Sequence, residues 1–292
     1  MIITPWDIAI IITKLLNYVG VVGFVGGMFM YFTMNDEFSR DYIKSHCQLL
    51  LMAGGIATIV NFFIQVGVFA EAGLAGMFEP LFLSLLWQSS VGDALISRIV
   101  AFVIGLVTLI LWAKSTKKQG YIVIMWLIGL VLLGRSFSIL GHTSELAVAV
   151  QWLLSLHVIL IAWWLGALWP LRQACYQFGV ADLQKLMHRF GRYASYAVAI
   201  LALCGGIVTY QVFGSFTSIF TTNYGQTLMV KLGLVVGVLA FAAHHKLRLV
   251  PRLLTREQGP KVLARSIEWE MKIALVILIV TTWLTTMVGP SH

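Results

Sequence analysis

Charge is scarce in this chain. Lys, Arg, Asp and Glu make up 11% of its 292 residues against a hydrophobic fraction of 59%, where soluble domains carry about 25% charged residues. A soluble domain of this length is therefore excluded. Cysteine is also rare: Cys47, Cys175 and Cys204 are widely spaced and form no CxxC pair. That leaves neither a disulfide framework nor a cysteine-based zinc site. No basic n-region lies between Met1 and Asp7, so the first apolar run is expected to be retained as an anchor rather than cleaved. Phosphate-loop, dinucleotide, HExxH and Ser-His-Asp signatures are absent as well, which removes motif support for nucleotide-driven or hydrolytic chemistry.

What remains is apolar and periodic. A membrane helix needs roughly 20 apolar residues, and eight such stretches use nearly the whole chain. They are expected at about 8–33, 47–69, 97–114, 120–140, 147–171, 193–213, 226–245 and 268–288. The predicted fold is thus an all-α integral membrane protein, a bundle of eight transmembrane helices forming one domain over 1–292. Thr4-Pro5 is a good helix start. The stretch 80–90 is apolar but too short to span, and reads as a helix lying at the interface. Gly23 with Gly27, and Gly233 with Gly237, form two small-residue faces where helices can approach closely.

The few charges are unevenly placed. Alternate loops hold 16 basic and 7 acidic residues, and the other half of the chain holds 4 basic and 5 acidic. The minority cations are Lys14, Arg98, Arg135 and Lys231. Short basic loops stay in the cytoplasm, so the first, third, fifth and seventh loops are expected inside and both termini in the periplasm. The net charge of +8 is an orientation signal that also attracts anionic lipid headgroups; no nucleic-acid partner is expected.

Ionisable groups at membrane depth are costly and mark candidate sites. His157 lies roughly 15 Å into the fifth stretch; its imidazole suits copper, zinc or haem iron, or a hydrogen bond to another helix. His142 sits in the short loop before that stretch, followed by Glu145, which can act as ligand, entry carboxylate or support to the histidine. His292 and Met287 lie at the same end, and copper(I) accepts thioether and imidazole. Met28, Met30 and Met229 read as packing. His46 and His188 read as helix-end residues, while His244-His245 marks a candidate exit point on the basic side. Lys14 and Lys231 are expected to snorkel, and Asn17, Asn61 and Gln65 to bond between helices.

Several of these residues fall in a familiar order. Gly141-His142-Thr143, Leu156-His157, Trp163-Trp164-Leu165-Gly166-Ala167-Leu168, Arg189-Phe190, Leu228-Met229-Val230-Lys231-Leu232 and Lys246-Leu247-Arg248-Leu249-Val250-Pro251-Arg252-Leu253 come first. Arg265, Glu270 and Gly289-Pro290-Ser291-His292 complete the set. Together they resemble the copper resistance D family of bacterial inner-membrane proteins. The likeness is clear over the last five stretches and looser before them. It implies copper handling, with periplasmic copper moved inward alongside a periplasmic copper-binding partner, and it marks His142, His157 and His292. Two departures stand out: Thr143-Ser144-Glu145 replaces small apolar residues, and His245 stands where Asn is expected. The reading from a different class is a membrane redox protein holding haem b, with His157 as one of two axial ligands on facing helices.

Overall fold

The computed structural model describes residues 3–34, 37–114, 120–213, 222–255 and 258–288, and among them every element is helical. Helix α1 (Pro5–Val22) passes through a π-helical turn, Gly23–Gly27, into α2 (Met28–Thr33). Then come α3 (Glu37–Ala70), a 3₁₀ turn at Gly73–Phe78, the short α4 (Pro80–Trp87), α5 (Ser90–Lys114) and α6 (Gly120–Ser138). A 3₁₀ turn at Gly141–Glu145 leads to α7 (Val148–Gln177) and α8 (Val180–Phe213). Helix α9 (Asn223–His244) closes in a π-turn, His245–Leu249, and α10 (Gly259–Trp283) closes in another, Leu284–Val288. Among the described residues, eight helical spans are long and apolar enough to cross a membrane, with α1 and α2 counting as one. Hydrocarbon offers no water to hydrogen-bond the backbone, so each span must satisfy its own amides, and the helix does so.

The start of α1 shows the local logic. The Thr4 hydroxyl accepts from the Asp7 amide, and the Asp7 carboxylate accepts from the Thr4 amide at 2.9 Å. This reciprocal cap satisfies two amides that the helix leaves open, and Pro5 follows where its missing N–H costs little.

The spans alternate in direction, so α1, α5, α7 and α9 begin at one end, here the terminal end. Helices α3, α6, α8 and α10 begin at the opposite, basic end. Most departures from the expected boundaries fall at the basic end. Helix α3 begins at Glu37 rather than 47, α8 at Val180 rather than 193, and α10 at Gly259 rather than 268. Lys, Arg, Glu, Gln and Leu are strong helix formers, so these helices continue past the apolar window that marks membrane thickness. The short apolar stretch is helical as expected, in α4.

Close packing is built on glycine. A Cβ at Gly20 would lie 2.6 Å from the Gly54 Cα, and one at Gly27 would lie 2.7 Å from the Cys47 Sγ, so α1 and its π-turn seat against α3. Gly26 meets Gly166 backbone to backbone, which draws α7 onto the same turn. The first small-residue face is therefore used. The second is not: a Cβ at Gly233 or Gly237 would meet nothing within 4 Å, and α9 lies on the outside of the bundle, mainly against α10. Asn17 donates to Thr58 and Asn61 to Thr13, tying α1 to α3, while Gln65 bonds within α3 to Asn61. The core runs through Phe24, Met28, Leu51, Leu109, Leu133, Ala167 and Leu263, all buried.

Candidate functional site

Helix α7 carries His157 nine residues after Val148, roughly 13 Å along the axis. Its ring rests against α8 at Leu201 and Gly205. A Cβ at Gly205 would stand 3.0 Å from the His157 Cε1, so the missing side chain makes room for the imidazole. The Nδ1 atom is buried without a hydrogen bond of ordinary geometry among the described residues, and the Leu201 backbone is the polar group that faces the ring. Lys231 on α9 is the cation whose charge reaches the ring. A buried imidazole nitrogen with a free lone pair or proton is an open valence in a place where polar groups are normally satisfied.

Above it, at the terminal end, the turn Gly141–Glu145 begins on a glycine with φ of 62°, a left-handed conformation that glycine adopts without strain. One side chain holds this turn to α7. Gln151 Nε2 donates to the carbonyls of Ser144 and Leu146, both at 2.9 Å, and its Oε1 accepts from Arg135. Ser155, one turn below, reaches the Ser138 hydroxyl at 3.3 Å. Polar contacts thus run from the His142 turn down the α6–α7 seam, ending two residues before His157. Arg135 and Gln151 were missed as site-forming residues, although a cation and an amide inside apolar stretches were the available signal.

Glu145 is exposed in that turn, and Met287 is half-buried in the final π-turn. The side chain of His142 and the whole of His292 lie outside the described residues. Beside Met287, Thr285 and Thr286 accept the Lys14 ammonium at 3.1 and 3.0 Å. Lys14 therefore links the first and last spans instead of snorkelling free. Arg98 donates to the Ser136 hydroxyl at 3.1 Å, with its guanidinium 4.5 Å from the Phe137 ring centre. Among the described residues, Lys14, Arg98 and Arg135 are met by hydroxyls, carbonyls, an amide and ring faces, and by no carboxylate.

The remaining histidines are at the basic end. His46 stacks on Trp169 with ring centres 3.7 Å apart. Trp169 lies twelve residues beyond His157 on α7, or roughly 18 Å of helix rise. His188 and His244 are exposed, and His245 is half-buried. Among the described side chains, none of these histidines shares the level of His157, so the second axial ligand of a haem is not found there. No group of three or more His, Cys, Asp or Glu stands together among the described residues. Met28 and Met30 are core residues, as expected, and the three cysteines are buried thiols.

Residues 184–284, from α8 to the end of α10, match the family model described as copper resistance protein D. The chain is also similar to the copper transport protein CutJ of Bacillus subtilis (strain 168). The two are 25% identical over 289 residues, covering 94% of this chain and 52% of that protein. The chain thus spans about half the length of the curated relative it matches. No solved structure matches it. The resemblance to the copper resistance D family drawn from the order of residues is thereby borne out, over the segment that carries Lys231, His245 and Glu270.

Proposed function

We propose that this chain carries copper across the bacterial inner membrane, from a periplasmic entry at the terminal end to the cytoplasm at the basic end. His142 and Glu145 take up the ion in the turn held by Gln151, with Met287 of the last span and His292 of the sequence after it supplying further donors. The ion then passes to His157. The observation that carries this reading is the buried Nδ1 of His157 at membrane depth, without a hydrogen bond of ordinary geometry among the described residues, in a chain similar to a copper transport protein. The roughly 13 Å between the start of α7 and His157 favours two stations in sequence over one site.

Nothing in the sequence resembles a nucleotide-driven pump. A membrane potential of about 100 mV, negative inside, favours inward passage of one positive charge by about 2.3 kcal/mol, and a periplasmic copper-binding protein can load the entry. His157→Ala, expressed at the wild-type level, is expected to lower cellular copper accumulation several-fold. Unchanged accumulation would remove His157 from the route. Haem b remains the reading from the other class; a reduced-minus-oxidised spectrum of purified protein without haem bands eliminates it.

A further inference from the structure

At the basic end, α9 and α10 bring together three polar side chains that the route through His157 does not use. The Nδ1 of His245 stands 3.1 Å from Glu270 Oε2, and its Nε2 stands 2.7 Å from the Ser266 hydroxyl. Glu270 is 1% exposed, and its second oxygen, Oε1, has no hydrogen-bond partner among the described residues. The neighbouring cations are paired in part, and Arg172 keeps a buried Nε without a hydrogen-bond partner among the described residues. Arg172 and Lys272 both pair with Glu268, at 3.3 and 3.1 Å, and Lys246 donates to Ser195. Among the described residues, the ion-pair partner of Glu270 is the His245 imidazole.

The local fold sets this up. Helix α9 does not end in a simple cap but widens into the π-turn His245–Leu249. Such turns are rare and occur often at functional sites. The turn leaves His244 exposed and brings His245 against α10. A carboxylate on one ring nitrogen fixes the proton there and leaves the other nitrogen basic, the usual support for a metal-binding histidine. With Nδ1–H donating to Glu270, the Nε2 lone pair faces the Ser266 hydroxyl. A cation at that position gains a nitrogen and an oxygen donor and balances the buried carboxylate.

The geometry points to a second cation station at the basic end, in which His245 Nε2 and Ser266 Oγ bind a borderline first-row ion and Glu270 holds the imidazole. Resting on the transport reading above, the ion is copper on its way out of the bundle. Nitrogen and oxygen donors suit copper(II) or zinc more than copper(I). A site of only two protein donors, its imidazole 12% exposed, releases its ion readily.

The test uses the full chain in detergent, titrated with copper(II) and assayed by elemental mass spectrometry and electron paramagnetic resonance. With His142, His157 and His292 all replaced by Ala, the chain is expected to retain a copper(II) signal with nitrogen coupling from one imidazole. Adding His245→Asn should abolish that signal, and Asn preserves a donor toward Glu270 so that the fold survives. Adding Glu270→Gln instead should weaken binding about 10- to 100-fold, as lost support of a ligating histidine does. If the variant lacking His142, His157 and His292 leaves no bound copper, or if adding His245→Asn does not change the copper that remains, the second station is refuted while the transport reading stands. If the wild-type chain binds no copper, both fall.

Discussion

A single glutamine decides whether the His142 turn has a fixed place. Gln151 spends both amide protons on the turn and its carbonyl on Arg135. Replacing it by Ala leaves the carbonyls of Ser144 and Leu146 without this donor at the head of α7, and Arg135, among the described residues, with the Ser138 hydroxyl and the Trp152 ring alone. An unsatisfied buried partner costs about 1–3 kcal/mol, so Gln151→Ala is expected to lower the unfolding temperature of the purified protein by several degrees. It should also reduce copper uptake without touching His157. An unaltered melting curve would mean that the turn is held by other contacts. His157 was legible in the sequence because an imidazole inside an apolar run has few bland explanations. Gln151 was not, because its role depends on where the 3₁₀ turn and the end of α6 come to rest. The pairing of His245 with Glu270 was hidden for the same reason: the two residues are 25 positions apart, and the π-turn that aligns them has no composition signal.

At the level of helices, the sequence carried the number and order of spans but not their lengths. Apolar windows report the hydrocarbon thickness, and α3, α8 and α10 run on as helices into the polar region through residues such as Arg189, Lys185 and Lys261, which favour helix as much as the apolar residues do. Glycine spacing was equally partial as a guide. The face at Gly23 and Gly27 packs on α3, while the same spacing at Gly233 and Gly237 faces open space, since spacing alone does not say which side of a helix meets a neighbour. The difference is measurable. At Gly166 a Cβ would run into the Val22 carbonyl and the Gly26 Cα, backbone atoms that cannot rotate away. Gly166→Val is expected to destabilise the bundle by about 1–3 kcal/mol or more, whereas Gly233→Val should leave the melting temperature unchanged. Equal effects at both positions would show that α9 has a packing partner on that face.

For the molecule as a whole, the proposed orientation rests on the charge distribution and sets the direction in which the membrane potential acts. Sixteen of the twenty Lys and Arg residues belong to one end, the bias on which we propose that end as the cytoplasmic one. The buried state of Cys47, Cys175 and Cys204 makes the chain a low-background host for single-cysteine labelling. Glu79 and Lys261 are exposed, beside α4 at the terminal end and at the start of α10 at the basic end respectively. A membrane-impermeant maleimide applied to intact spheroplasts should modify Glu79→Cys at once, and Lys261→Cys only after the membrane is opened. The reverse pattern would turn the bundle over. The same potential would then oppose passage from the His142 turn to His245 by about 2.3 kcal/mol for each charge and 100 mV. Copper driven by the potential would have to enter at His245 and leave at His142, which would make the chain an exporter's route only if another gradient supplied the work. The labelling pattern therefore bears on direction as directly as on topology, because a passive route through fixed stations takes its sense from the field across it.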